Sequence, residues 1–304
     1  MATPATPLER RKLIWARVYQ ELIQHAVPDA RFNYDFLSFV PDFRSSELAL
    51  TRLTTLPCYA SARCILVTPD NSLEALRARA LRDGKHVLVA TYRLRRGFIL
   101  LHPGRIDSAR YEVAASLDGM EKPGIGRPVT LAQMRDEGLR VDICVTGGLV
   151  FNVQGVTIWE GENLFEVQWA LLRDIGAIPT PEDTPVVAVA HECQVVDEVR
   201  IGMETMTPAR QGEVQADFVI TPEATFEVNG ARKPVGGIDF ENVDQDALQN
   251  IPPLQELRGI RMMEGIMQRE GFVPESEDKK QESPSADEQM GINIVDRLMQ
   301  NYKS

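Results

Sequence analysis

The sequence predicts an α/β fold, a mostly parallel sheet flanked by helices, and three observations carry that reading. Apolar runs at 64–67, 86–90, 141–145 and 186–190 lack the alternation of a half-exposed strand, so they read as strands buried on both faces. Between the first two runs, apolar residues at helical spacing over 73–81 make a βαβ unit, and such units imply a parallel sheet. The runs end in polar or turn residues, among them Asp70, Tyr92, Arg93 and His191. In open parallel sheets ligands sit outside the carboxyl ends of the strands, where those residues fall.

Residues 8–24 form an amphipathic helix, with Leu13, Ile14, Val18, Leu22 and Ile23 on one face. Arg10, Arg11 and Lys12 stand in its first turns, where positive charge opposes the helix dipole. They read either as a solvated basic end or as a clamp on an anion supplied from elsewhere in the fold. Residues 26–44 mix turn formers with Phe32, Tyr34, Phe36, Phe39 and Phe43, the pattern of a long loop packed on the body. Ser45 or Ser46 caps a helix through 53. After the 64–67 strand, Asp70 reads as a turn former or as a ligand group. Gly84 closes the 73–81 helix. A strand at 98–101, a helix over 107–117, a Gly/Pro loop at 121–128 and a short helix from Thr130 to 137 follow.

The central stretch covers 141–175. Its strand leads to Gly147 and Gly148, then to a second short run at 149–153 and a loop bearing Gly155 and Gly161. Asn163 opens a helix with Leu164, Val167, Leu171 and Ile175 on one face. A strand, a glycine-bearing loop and a helix N-terminus together aim backbone N–H groups and the helix dipole at an anion, though many such units bind nothing. His191 follows the next strand; a lone histidine there is either a satisfied structural residue or a catalyst. A strand at 217–220 and a helix at 254–269 complete the body. The expected organisation is one domain over 1–272, a disordered acidic linker over 273–290 and a terminal amphipathic helix over 291–304.

Composition bounds the function. A net charge of −11 opposes generic nucleic-acid or anionic-membrane binding and leaves room only for a local basic pocket. No apolar run approaches the roughly 20 residues of a membrane span, and the first fifteen residues have no signal-peptide core, so a cytoplasmic location is expected. Cys58, Cys64, Cys144 and Cys193 form no CxxC pair and read as free thiols.

Eight short motifs now matter by their order: FVPDF at 39–43, VTPD at 67–70, Arg77 with ALRDGK at 80–85, AASLDG at 114–119, RPV at 127–129, VDICV at 141–145, HECQVVD at 191–197 and DFVITP at 217–222. Together the chain resembles the 5-formyltetrahydrofolate cyclo-ligase-like family, its longer branch of methenyltetrahydrofolate synthetase-like proteins more than the short housekeeping enzymes. The resemblance spans roughly residues 8–230. It implies a sheet like that of the NagB/RpiA/CoA transferase-like fold, a reduced folate as small-molecule substrate, and ATP and Mg²⁺. In that family ATP phosphorylates the formyl oxygen, and ring closure expels phosphate. Combined with the strand ends, it gives His191 and Asp70 as catalytic candidates and Phe39, Tyr92, Arg93, Gln194, Gly147 and Gly148 as substrate contacts. Arg11, Gly155, Thr157, Gly161 and Asn163 would hold the nucleotide, and Glu166 the metal.

The glycine loop departs from the family's pattern. Thr157 stands where an arginine is usual, and Trp159 and Asn163 replace glycines. Glu160, Glu162 and Glu166 repel a triphosphate unless Mg²⁺ or a basic residue intervenes, and they suit the helix dipole without any ligand. Three functions therefore stay open: an ATP-dependent cyclo-ligase, the same scaffold with ATP-independent chemistry on another small molecule, and a non-catalytic binding or assembly protein. In the last, the terminal helix would contact a partner or a second copy of the chain.

Overall fold

A computed structural model describes residues 6–160, 164–208 and 212–269. Helix α1 (Pro7–His25) starts at Thr6, whose hydroxyl accepts from the Glu9 N–H while the Glu9 carboxylate accepts from Thr6, so one acid offsets the basic first turns. Two-residue strands β1 (Ala26–Val27) and β2 (Asp42–Phe43) then pair antiparallel and pinch off the aromatic segment between them. Helices α2 (Ser46–Thr54) and α3 (Pro57–Ser61) lead to β3 (Cys64–Val67), α4 (Glu74–Arg82) and β4 (His86–Ala90). Strand β5 (Phe98–Leu101), helices α5 (Tyr111–Ala115) and α6 (Leu117–Met120), strand β6 (Arg127–Val129) and α7 (Leu131–Asp136) follow. Thr130 and Gln133 close a reciprocal cap on α7. Then come β7 (Ile143–Thr146), β8 (Val150–Asn152), β9 (Thr157–Trp159), α8 (Phe165–Asp174), β10 (Val186–Val189) and β11 (Val195–Val196). The chain continues through β12 (Phe218–Ile220), β13 (Thr225–Glu227), α9 (Gln245–Asn250) and α10 (Pro252–Arg269).

The main sheet has eight strands in the order β13-β12-β10-β7-β3-β4-β5-β6. The central strands β12, β10, β7, β3 and β4 are mutually parallel, and β13, β5 and β6 join antiparallel at the two sides. The expected mixed α/β class with a mostly parallel sheet is what the chain adopts. Alternate residues of the parallel strands feed two cores. Ile65, Val67, Val87, Val89, Ile143 and Val145 pack toward α2 through α6, whereas Leu66, Leu88, Cys144 and Ala188 pack toward α8 and α10. A third cluster joins Ile14, Val18 and Leu22 of α1 to Leu149, just before β8, and to Val150 and Ile158 of a second small sheet, β11-β8-β9.

Four local expectations are corrected. Residues 107–117 do not form one helix: Ser116 ends α5 with an extended backbone and caps α6. The loop expected at 121–128 contains the start of β6, because the Gly126 N–H is tied to the Met120 carbonyl and the chain is steered onto β5. The glycine loop contains β9, since the branched and aromatic Thr157, Ile158 and Trp159 suit a strand and Gly155 turns the chain back onto β8. Helix α8 begins at Phe165, after Leu164 in a left-handed conformation, and residues 161–163 lie outside the described residues.

The chain divides into two units, 1–260 and 261–304, the division falling within α10. The boundary expected at 272/273, the linker and the terminal helix lie outside the described residues. Among the described residues no helix is long and apolar enough to cross a membrane, and all four cysteines are free.

Candidate functional site

Asp70 is held by its neighbours in the sheet. It follows β3, and its buried Oδ2 accepts from the Thr68 hydroxyl at 2.5 Å and from the Gly147 N–H, after the adjacent β7, at 2.9 Å. Gly147 is needed for that approach: a Cβ there would stand 2.8 Å from Asp70 Oδ2. Gly148 is equally constrained, because its Cβ would meet the Phe151 ring at 2.5 Å. Beneath them lies Arg77 of α4, fully buried. Its Nε donates to the Ala115 carbonyl at 2.7 Å, and one terminal nitrogen donates to the carbonyls of Thr68 and Asp70 at 2.8 and 3.1 Å. Burial pulls its guanidinium down to about 10, with Glu74 and Asp70 opposing the fall. Arg77 positions the Asp70 turn. Its place in a motif was visible in the sequence; its role was not, because an arginine on a helix ordinarily faces water.

His191 follows β10, two strands from β3 and at the same end of the sheet, but it has its own company. Its ring stacks on His25 at 4.1 Å between centroids and meets Phe43 edge-on. Its Nδ1 accepts from the Cys193 N–H at 3.2 Å and lies 3.3 Å from Cys193 Sγ. Burial, then the charge of His25, lowers the His191 pKa, and burial pushes the Cys193 thiol up to about 12. The pair is therefore neutral thiol and neutral imidazole, not an activated nucleophile. Gln194 is buried and tethers the Gly148 and Leu149 carbonyls through its amide nitrogen, while its oxygen accepts from the His191 N–H.

The other expected substrate residues gather above Asp70. Phe32 stacks on Phe39 at 4.8 Å and tilts against Tyr92 at 5.5 Å. The Tyr92 hydroxyl donates to the Ser38 carbonyl at 2.8 Å. Arg93 takes a left-handed backbone (φ 52°) and lies over the Tyr92 ring at 5.5 Å. Together Phe32, Phe39, Asp70 and Tyr92 enclose a cavity of about 20 Å³, and His191 is not in its wall. That is room for about one water. The aromatic segment expected to carry function thus covers the Asp70 strand end.

The expected nucleotide residues meet but are occupied by protein groups. Arg11 does reach β9, donating to the Thr157 and Ile158 carbonyls at 3.1 and 3.4 Å. Its other terminal nitrogen binds both oxygens of Glu213 at 2.9 and 3.1 Å. Gly155 serves the turn: its φ is +74°, and a Cβ would stand 2.2 Å from the Ala216 carbonyl oxygen. Trp159 stacks on Trp15 of α1, the ring centroids 6.0 Å apart and the planes nearly parallel. Glu160 accepts from the Phe165 N–H at 2.5 Å, so a carboxylate of the chain occupies the first donor of α8. Burial, then the charge of Glu166, pushes the Glu160 carboxyl up to about 8, with Asp70 adding to the rise and N–H bonds from Phe165 and Glu166 opposing it. Gly161 and Asn163 lie outside the described residues.

Among the described residues of this loop, the groups that would meet a phosphate already have protein partners. A phosphate at the α8 N-terminus would compete with Glu160, and the Arg11 guanidinium, which reaches the loop, is already forked to Glu213. Mg²⁺ is typically held by one or two carboxylates together with substrate phosphates. Among the described residues no three His, Cys, Asp or Glu side chains converge on a metal position, so Glu166 would need those phosphates. Sequence reading marked Glu160 as repulsive to phosphate and as suited to the helix N-terminus, but not its bond to the Phe165 N–H. It missed Glu213 altogether, because that residue lies 202 positions from Arg11.

With the geometry set out, comparison with known proteins gives three kinds of likeness. The model of the 5-formyltetrahydrofolate cyclo-ligase family matches residues 16–206. The methenyltetrahydrofolate synthase domain-containing protein of Homo sapiens is 28% identical over 229 residues, 74% of this chain and 56% of that protein. The protein of the same description in Mus musculus is 29% identical over 251 residues, 79% of this chain and 63% of its own length. The chain thus spans little more than half the length of the curated relatives it matches. Among solved structures, 5,10-methenyltetrahydrofolate synthetase of Aquifex aeolicus aligns with a TM-score of 0.42 at 15% identity, over 73% of this chain and 95% of its own.

Proposed function

This chain belongs to the 5-formyltetrahydrofolate cyclo-ligase family, and from that premise we propose that it binds a small formyl- or carboxylate-bearing compound of the folate class without using ATP. One observation carries the second half: the Glu160 carboxylate sits on the Phe165 N–H, at the helix start where a phosphate would bind. Its oxygen takes the first N–H of α8, which a phosphate would have to win from it, while a carboxyl pushed up to about 8 is mainly uncharged at neutral pH. The chemistry left to the chain's own residues is binding, exclusion of water and placement of protons. Asp70, fixed by Thr68, Gly147 and Arg77, faces the cavity as an acceptor for a ring N–H. Phe32, Phe39 and Tyr92 offer aromatic faces to a flat ring, once the pinched-off segment between β1 and β2 shifts to admit it.

Thermal unfolding in the presence of ligand tests both halves. A ligand that binds only the native state stabilises it by about 2.7 kcal/mol at a hundred times its dissociation constant. 5-Formyltetrahydrofolate is expected to raise the melting temperature, and millimolar Mg-ATP alone to leave it unchanged. A shift with Mg-ATP would sink the ATP-independent reading; no shift with the folate would sink the binding reading.

A second reading, docking of a partner or a second copy through the C-terminal region, is favoured by Met262, Met263, Ile266 and Met267, which are exposed on α10. Removing residues 274–304 is expected to leave cooperative unfolding intact, because the three cores are built from residues between Ile14 and Ile260. On this reading the truncated chain has a smaller oligomer mass by light scattering than the full chain. Equal subunit number in both removes the tail from any assembly contact.

A further inference from the structure

We propose that the cleft at the amino ends of the central strands is a binding site for a phosphate-bearing small molecule. It lies at the sheet edge opposite Asp70 and is independent of the site described above. Arg63 precedes β3, His86 begins β4 and Asp142 precedes β7. Because β5 runs antiparallel to β4, and β6 antiparallel to β5, the residues after β5 (His102, Arg105) and the first residue of β6 (Arg127) come to this same edge. Arg140, after α7, completes the wall. The cleft measures about 440 Å³, a size typical of small-ligand sites, and Leu100, Ile125 and Leu139 give it an apolar floor for an organic moiety.

Its positive charge is only partly balanced. Glu137 is spent on Arg127, a two-bond fork at 2.7 and 2.6 Å. Asp142 accepts from the backbone N–H groups of Arg63 and Cys64 at 2.7 and 3.0 Å and so ties β7 to β3. Arg63, Arg105 and Arg140 have no side-chain hydrogen bond or ion pair among the described residues, and all three are exposed. On a chain of net charge −11, four guanidinium groups against the two carboxylates Glu137 and Asp142 leave this cleft with a local positive field. Guanidinium forks match phosphate oxygens two at a time.

Two histidines complete the donor set. The rings of His86 and His102 lie 4.3 Å apart. His102 Nδ1 accepts from the Gly104 N–H at 3.0 Å, which places the proton of the neutral ring on Nε2 as a donor. The His86 pKa is lowered by burial first, then by the charges of His102 and Arg105. The negative charge of a bound phosphate opposes those last two effects.

The chain's four histidines make the test local, since His86 and His102 lie in the cleft while His25 and His191 stack on each other at the other edge. Inorganic pyrophosphate is titrated at low ionic strength while imidazole resonances are followed by NMR, each assigned by a single His→Gln variant. Saturable shifts of His86 and His102, with His25 and His191 unmoved, are expected. The full-chain double variant R105Q/R140Q, with an unchanged melting curve, is expected to weaken binding by roughly tenfold or more, and K12Q to leave it unchanged. No saturable shift at low salt, shifts confined to His25 and His191, or equal affinity in R105Q/R140Q would each overturn the assignment.

Discussion

Arg77→Ala is expected to cost roughly 3 to 5 kcal/mol of stability, the range for breaking a buried hydrogen-bonded charge network. Two effects compete. Removing the guanidinium relieves the burial penalty that pulls its pKa down to about 10. It also strands two carbonyls, those of Ala115 and Thr68, leaves that of Asp70 with the Leu73 N–H alone, and empties the space of a long side chain in the core. Each unpaired buried carbonyl costs about 1 to 3 kcal/mol and the cavity adds to it, so the loss wins. For a body of this size a melting temperature lower by roughly 10 °C follows. Arg77→Lys is expected to fall between, since an ammonium keeps the charge but loses the planar fork. Denaturant unfolding that finds the alanine variant within 1 kcal/mol of the parent would remove Arg77 from the support of the Asp70 turn. The same variant is expected to lose folate-dependent stabilisation, since Asp70 is no longer held against Gly147.

Glu160→Gln is expected to stabilise the protein in alkaline solution and to do little in acid. The folded carboxyl has a pKa of about 8 against an ordinary value of 4.5. Between those values the native state binds more protons than the unfolded chain, so the contribution of this group to stability falls as pH rises. Below 4.5 the carboxyl is protonated in both states and no penalty applies; above 8 the full penalty is present. The gap sets a ceiling of about 5 kcal/mol, and relaxation of the loop is expected to reduce it to roughly 2 to 3. Glutamine keeps an acceptor for the Phe165 N–H and abolishes the titration. Unfolding free energies for parent and variant at pH 5, 7 and 9 check this. A gap that does not widen from pH 5 to pH 9 would mean that Glu160 is not desolvated beside Glu166.

The main strands were legible because burial on both faces leaves an unbroken apolar run. Cys64–Val67, His86–Ala90 and Val186–Val189 all stand where those runs stand. Thr130 was legible as a cap because its bond is made three residues away, to Gln133. Strands β6, β9 and β13 were not, being three residues long and lying on the sheet's antiparallel side or in the small second sheet, too short for alternation to show. The strand ends were also legible, which is why Asp70, Tyr92, Gly147 and His191 fall at one end of the sheet.

What the sequence determined by itself is therefore the layer order, the parallel centre and the end at which polar groups collect, since each depends on period and on near neighbours in the chain. Tertiary structure alone decided what those groups touch. His191 stacks on His25, Arg11 forks to Glu213, the Phe32–Phe39 pair covers Asp70, and Glu160 folds back onto α8. Periodicity records which face of an element is buried, but charge pairing and ring stacking act over a few ångströms between residues up to 202 positions apart. Only the packed chain brings those residues within reach, and so only the packed chain shows the Glu160 carboxyl on the first N–H of α8.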